Sequence, residues 1–385
     1  MLPKLVLTQE GSTELFVPAE SMVAKEPKTF PAFFNPAARI NRDISVAIER
    51  ATRPRTFLDA LAGVGARGVR IANEGNREVE VTLVEFNETS ARIALKNVKR
   101  NRLEGRCRVV HQESNAYLNS RFGRLERFDA VDVDPFGTPA PYVQGALTAA
   151  QDEGTISVTA TDTATLCGVY PVVAHRRYGA EVRRTEFPHE AAVRILLGFC
   201  ARMAGITDIG IEPIAAHSTL HYIRVYFKVL RGAARSDASL KHIGYVVECG
   251  RCHERTVAPT YAQSCPLCGA KVRPNGPQWI GSLIDEAVVS EAAQYSSAQG
   301  WKDAARALKA LERTNLFPPF GYSIEGITSR ERISSVRLQR VVDALEGSGR
   351  SAIREPFGSS GLKTDATYKE LLTAVRESAR QAASR

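Results

Sequence analysis

No stretch of this 385-residue chain is apolar over the roughly 20 residues that a bilayer-spanning helix needs, and its start lacks the basic-then-apolar layout of a signal peptide. The expectation is a cytoplasmic protein with no membrane partner. Repeats and low-complexity segments are absent too, apart from a Ser/Ala/Arg-rich end at 378–385. Cysteine is scarce and odd in number, with seven at Cys107, Cys167, Cys200, Cys249, Cys252, Cys265 and Cys268. An odd total argues against a disulfide framework, and the grouping of four into two CxxC pairs argues for a metal site. An acidic excess is also missing. Lys and Arg number 51 against 42 Asp and Glu, a net charge of +9 that favours a polyanionic partner such as nucleic acid. Residues 301–385 carry 15 Lys and Arg against 10 Asp and Glu. No obligate protein partner is evident.

The remaining composition is that of a globular protein, 44% hydrophobic and 24% charged, with a mean hydropathy of -0.19. The length suggests two or three domains. Residues 5–8 and 14–17 flank the turn signal Glu10-Gly11-Ser12 and predict a hairpin within an N-terminal extension, 1–40. Phe33-Phe34-Asn35-Pro36 then leads into an apolar-periodic helix over roughly 43–51. Asn41 or Asp43 caps that helix in one reading; in the other, Arg42 and Asp43 face a ligand.

From residue 56 strands and helices alternate, the signature of a parallel, doubly wound sheet. The strand Thr56–Leu61 runs into Gly63-Val64-Gly65-Ala66-Arg67-Gly68, where glycines allow close backbone approach to a ligand and a helix N-terminus follows. A second strand, 79–84, ends in Glu85, placed to hydrogen-bond a ribose diol. This pattern fits both dinucleotides and S-adenosylmethionine. Asp59, ahead of the glycines, would repel a pyrophosphate but suits the methionine ammonium, so it favours a class I methyltransferase over a dehydrogenase. The third strand, Cys107–His111, precedes Glu113 and Ser114. These residues contact an adenine in one reading, and Ser114 caps a helix in the other.

The fourth strand, Phe128–Val133, ends in Asp134-Pro135-Phe136-Gly137. There a carboxylate, a rigid proline and an aromatic ring meet the sheet edge at which open α/β folds bind ligands. A plain strand end with a turn is the competing reading. Asp132 lies on the same face as Asp134 and is given a supporting role. The loop Thr161–Gly168 closes the next strand and rims the same pocket, and His221–Val229 alternates as a late strand with one polar face. The catalytic domain closes near 235.

Residues 236–385 form a C-terminal α+β domain. At 245–280, Cys249-Gly250-Arg251-Cys252 and Cys265-Pro266-Leu267-Cys268 are separated by twelve residues and make two knuckles that close a tetrahedral, structural zinc site with no open position for catalysis. His253 and Glu254 read as surface residues. A basic helix and a turn-bounded excursion at 354–364 predict a winged-helix-like module that grips phosphates or, with its basic face solvated, only docks.

Taken together, the motifs resemble the tRNA (guanine-26-N2)-dimethyltransferases of archaea and eukaryotes. The resemblance rests on Phe34-Asn35-Pro36 with Asn41-Arg42-Asp43; Asp59-Ala60-Leu61 with Gly65-Ala66-Arg67-Gly68; Asp132-Val133-Asp134-Pro135-Phe136-Gly137; Thr159–Asp162 with Leu166-Cys167-Gly168; and Leu362-Lys363-Thr364-Asp365. It implies a class I, Rossmann-like fold, tRNA as partner, and S-adenosylmethionine contacts from Arg42, Arg67, Glu85, Glu113 and Ser114. It also implies Asp134 as the catalytic carboxylate, with Pro135 and Phe136 holding the base. The chain departs from the family at Ala37, where an arginine is usual, at Glu85, where Asp is frequent, and around His111–Asn115. Another amino-methyltransferase, or a non-catalytic tRNA-binding protein on this fold, is the alternative.

Overall fold

The structure, a computed structural model, describes residues 3–24, 31–120, 127–219, 222–358 and 361–383. Its centre is a seven-stranded sheet made of β3 (Thr56–Asp59), β4 (Glu80–Glu85), β5 (Cys107–His111), β6 (Phe128–Val133), β7 (Ala150–Ala160), β8 (Ile209–Thr219) and β9 (Tyr222–Arg231). The order is β5-β4-β3-β6-β7-β9-β8, in which β3 to β7 are parallel and β9 runs antiparallel to both of its neighbours. The expected doubly wound sheet is therefore present. β3 sits between β4 and β6, so the strand order reverses there and opens a crevice at the carboxyl ends.

Burial explains the strands. Phe128, Ala130, Val131 and Val133 of β6 are buried, and Asp129 is satisfied at its outer end by the amides of Arg55 and Thr56, both at 2.8 Å. The predicted hairpin forms as β1 (Leu5–Glu10) against β2 (Thr13–Pro18). It is held to α3 (Glu88–Arg100) by the Asn97 amide, which accepts from Phe16 N at 2.6 Å and donates to Phe16 O at 3.1 Å.

The first helix differs from expectation. α1 spans Arg39–Thr52 rather than starting near 43. Asn35 accepts from Ala37 N at 2.9 Å and caps a 3-10 turn, Pro36–Ala38, that runs straight into the helix. Asn41 and Asp43 thus lie inside the first turns, with side chains free for tertiary contacts, and neither is a cap. α2 (Ala66–Glu74) follows the glycine turn. It lies so close to the sheet that a Cβ on Gly68 would stand 2.2 Å from Leu83 Cδ2.

Two small sheets follow. β10 (Ile243–Glu248) lies between β11 (Arg255–Ala258) and β12 (Asn275–Trp279) and carries the cysteine knuckles. β13 (Tyr322–Ser323), β15 (Gly361–Thr364) and β14 (Ala352–Arg354) form the other, in that order, with helices Ile324–Arg330 and Leu338–Gly347 between its first two strands in sequence. Strand, two helices and a two-stranded wing make the winged-helix-like arrangement. The helices Glu286–Ala298 and Lys302–Leu311 share the central core through Val289, Ala292, Trp301 and Leu308. Among the described residues no helix is long and apolar enough to cross a membrane.

The wing does not present its lysine to solvent. Lys363 is fully buried, and its Nζ donates to both oxygens of Glu190 at 2.6 Å and to Pro318 O at 2.8 Å. Arg255 pairs with Glu186 at 2.7 Å and Glu248 at 2.8 Å, and Arg330 also bonds Glu186. Glu254, expected on the surface, accepts from Tyr368 N at 2.9 Å, while His253 packs on the Tyr368 ring. These charges dock the C-terminal module rather than meeting solvent phosphates.

Candidate active site

The carboxyl ends of β3, β4, β5 and β6 bring together Asp59, Glu85, the Glu113-Ser114 turn and Asp134. Asp59 pairs with Asp132 in register, and Ala60 N donates to Asp132 O at 3.0 Å across the switch point. Gly63 and Gly65 both adopt positive φ, at 55° and 77°, which an L-residue with a side chain adopts only under strain. Glu85 ties the loop down, accepting from Gly63 N at 2.7 Å and from Asn87 N at 2.6 Å. Its two oxygens each keep a lone pair.

Arg67 stands in the first turn of α2, fully enclosed. Its Nη1 donates to Asn41 Oδ1 at 2.8 Å and to Ser45 Oγ at 2.5 Å, its Nε lies 2.9 Å from Asp132 Oδ2, and its Nη2 bonds Asp134. Behind it Arg224, on β9, bonds Asp132 and donates to Thr159 Oγ1 at 2.6 Å, Ser157 Oγ at 2.9 Å and Tyr226 Oη at 2.8 Å. Ser157 also donates to Asp132 at 2.5 Å. Asp132 is completely buried, and the supporting role expected of it takes a definite form. It is the anion shared by two guanidinium groups that would otherwise repel each other.

Burial alone would raise the Asp134 carboxyl, but Arg67 and Arg224 outweigh it and hold it below the ordinary carboxylate value. Its side chain remains 29% exposed. Asp59 goes the other way. Burial, then the neighbouring Asp132, push it to about 8 against the pull of Arg67. Glu49 on α1 is likewise driven to about 8 by burial and Asp132, and its Oε2 has no hydrogen-bond partner. One carboxylate is thus kept ionised at the surface while two beside it favour protonation.

Pro135 is buried, whereas Phe136 is 62% exposed. Phe33 packs edge-on against Phe136 with ring centroids 4.6 Å apart, which leaves a face of the ring free. Gly137, at φ 77°, donates to Thr161 Oγ1 at 2.6 Å and accepts from Thr161 N at 2.9 Å, so the rim loop fixes the turn.

Arg42 and Glu113, predicted to contact the cofactor, and Asp43, read as ligand-facing or capping, are engaged with the protein itself. Arg42 makes a two-pronged pair with Glu10 at 2.6 and 2.7 Å, donates to Asn35 O at 3.0 Å, and stacks over Phe34. This places it in the support of the Phe33-Phe34 segment. Asp43 is paired with Arg70 at 2.6 Å. Glu113, not Ser114, caps α4 (Ser114–Asn119), accepting from Asn115 N at 2.9 Å and Ala116 N at 2.7 Å. Ser114 Oγ is buried without a hydrogen-bond partner among the described residues. Sequence reasoning missed Arg224, Tyr226, Ser45 and Glu49. The alternation of β9 does put Tyr222, Arg224 and Tyr226 on one face, and a buried arginine there was the available signal. It also missed Phe86, which directly follows Glu85 and is 71% exposed.

The four knuckle sulfurs all lie within 4.8 Å of one another, with Cys249 and Cys268 at 3.5 Å and Cys252 and Cys265 at 3.7 Å. Zinc–sulfur bonds of about 2.3 Å at tetrahedral angles demand sulfurs roughly 3.8 Å apart. Backbone turns supply the geometry, as His253 N donates to Cys249 O and Gly269 N to Cys265 O, both at 2.9 Å. The cluster fits a structural zinc held by Cys249, Cys252, Cys265 and Cys268.

Residues 11–376 match the family model described as N2,N2-dimethylguanosine tRNA methyltransferase. The chain is 34% identical over 377 residues to the tRNA (guanine(26)-N(2))-dimethyltransferase of Methanopyrus kandleri, covering 97% of each chain. It is 35% identical over 373 residues to that of Natronomonas pharaonis, covering 95% of this chain and 99% of the other. Among solved structures, Trm1 from Pyrococcus horikoshii in complex with S-adenosyl-L-methionine superposes with a TM-score of 0.85 at 31% identity, covering 96% of this chain and 99% of that one. By matched length, identity and fold, the chain belongs to the N2,N2-dimethylguanosine tRNA methyltransferase family.

Proposed function

We infer that the protein transfers methyl groups from S-adenosylmethionine to the exocyclic amine of guanine-26 in tRNA, giving N2-methyl- and N2,N2-dimethylguanine. The observation that carries this reading is the pairing of an ionised, part-exposed Asp134 with the free face of Phe136 at the end of β6. When bound, S-adenosylmethionine supplies a methyl group already activated on a sulfonium. Asp59, Gly63, Gly65 and Glu85 form the cradle for its methionine and ribose ends, and the buried, unpartnered Ser114 Oγ and the exposed Phe86 ring suit its adenine. Arg67 and Arg42 then act by holding Asp134 and the Phe33-Phe34 segment.

A guanine N2 lone pair is delocalised into its ring and is a poor nucleophile. Hydrogen bonds from the amine to Asp134 and the Pro135 carbonyl localise it. Stacking on Phe136 contributes about 1–3 kcal/mol, against on the order of a few kcal/mol to extrude the base. Positioning supplies much of the rate. Asp134 takes the proton that the amine loses as the nitrogen–carbon bond forms. A carboxylate of depressed pKa is a weak base, which suffices because the methylated amine is strongly acidic while cationic. The catalytic machinery lies within residues 1–235 in this reading, and residues 236–385 brace it.

A radiolabelled-methyl assay on an unmodified tRNA transcript tests this. Wild type should label guanine-26 and Asp134→Ala should not. Absence of transfer by wild type would overturn the reading, and labelling that survives replacement of guanine-26 would overturn the target.

A further inference from the structure

We propose that the ridge formed by residues 169–184, beside the turn that carries Asp134, holds the tRNA nucleotides flanking the target base. Arginines grip the phosphates there, and Tyr170 stacks an unpaired base. The proposal rests on tRNA being the substrate and names where the enzyme meets it.

The ridge is fastened to the catalytic turn by short polar links. Tyr178 Oη, at the end of helix Pro171–Tyr178, lies 2.8 Å from Thr138 Oγ1 and donates to Asp162 at 2.7 Å; Asp162 also takes Arg177 at 2.9 Å. On the far side, Gly168 packs directly on the backbone of Arg183, where an added Cβ would stand 2.4 Å from the carbonyl carbon. The residues of this ridge therefore hold a fixed position relative to Asp134.

Its surface combines the two features that single-stranded nucleic acid needs. Tyr170 and Val172 are 56% and 76% exposed, next to a cavity of about 500 Å³ lined by Pro171, His175, Arg183 and Arg184 among others. Sixteen residues carry four arginines against one acid, Glu181. Arg176 and Arg184 are exposed, with no acidic partner among the described residues. Among the described residues Arg183 has only Glu181 as an acidic partner, at 3.9 Å, a half-exposed pair that costs little to exchange for a phosphate. A protein partner fits less well, because arginines outnumber the acid four to one and Tyr178 fastens the ridge to the turn beside which an RNA base must enter. The C-terminal basic residues Lys363, Arg255 and Arg330, by contrast, are spent on docking.

The test is equilibrium binding of the full-length protein to an unmodified tRNA transcript, without methyl donor, at several salt concentrations. Arg176→Ala/Arg184→Ala should weaken binding on the order of tenfold and make the slope of log affinity against log salt shallower by about 2. Tyr170→Ala should weaken it roughly fivefold or more while leaving the salt slope in place. A matched variant, Arg92→Ala/Arg306→Ala, removes equal charge from exposed positions outside the ridge and should bind like wild type. S-adenosylmethionine affinity checks that each variant is folded. Wild-type affinity and slope in the ridge variants, or equal losses in the matched variant, would overturn the proposal. Binding through the ridge without methyl transfer would overturn the proposed function and leave this surface standing.

Discussion

At the switch point of the sheet, Arg67 and Arg224 share Asp132, and Arg67 reaches on to Asp134, whose side chain stays 29% exposed. At the seam between helix Pro188–Gly205 and β15, Glu190 takes Arg194 and Lys363, and all three side chains are at most 3% exposed. Burial opposes charge in both places, and in both the cations outweigh it at the carboxylate, so Asp134 and Glu190 are held below their ordinary values. The difference lies in what is left over. All three donors of Lys363 are used within the seam, whereas Arg67 engages one oxygen of Asp134 and the other group it orders, Asp132, is hidden. A sealed ion cluster can fix how two parts of a chain meet, and it has nothing to offer a substrate. An ion cluster with one member at the surface can both fix a carboxylate and present it.

The sharpest way to break this comparison is Asp134→Asn. It should lower kcat by about 10²–10⁴-fold with S-adenosylmethionine affinity retained, and a loss below tenfold would show that Asp134 only positions. Lys363→Met strands Glu190 beside a single arginine. Denaturant unfolding should show about 3 kcal/mol of lost stability, with a much smaller change in kcat. Because the folded Glu190 value is depressed from 4.5, its contribution is present above that pH and is lost as pH falls through the folded value. Cys249→Ser should release about one equivalent of zinc and lower Tm without removing the Asp134 pair, as read by metal analysis and calorimetry.

Two smaller effects sharpen the electrostatics. Arg224 is buried behind Asp132, yet it helps depress Asp134. Arg224→Met should therefore move the acidic limb of kcat/KM to higher pH, and Arg224→Lys should largely restore it. Identical profiles for the two would show that the charge is irrelevant. Glu49, at about 8 in the folded protein against 4.5 unfolded, keeps a proton that unfolding releases between those values. Stability must then fall as pH rises through that window. Glu49→Gln removes this slope, so its Tm advantage over wild type should grow between pH 5 and pH 9.

Much of the site was legible in the residues alone. Strand periodicity located β5 and β6 to the residue, and the glycine turn, Glu85 and Asp134 followed as strand-end positions. The cysteine spacing located the knuckles. Three long-range pairings were not legible, for one reason. Arg42 reads as ligand-facing, Asp43 as ligand-facing or capping, and Lys363 as part of a wing that grips phosphates or docks. An exposed and a buried ion look alike in sequence when the partner, here Glu10, Arg70 or Glu190, lies tens to hundreds of residues away. The capping role of Glu113 was missed because Ser is the better capping residue by type, although here the preceding carboxylate reaches two amides.

The sequence by itself determined the order of the strands along the chain, the groups at their carboxyl ends and the four thiolates, because periodicity and local spacing are properties of neighbouring residues. Only the tertiary structure decided which charges are ionised and what they serve. Burial and the approach of Asp132, Arg67 and Arg224 from three different elements set those energies. Those contacts make Asp134 a presented carboxylate, and the approach of Glu190 makes Lys363 the partner of a sealed one.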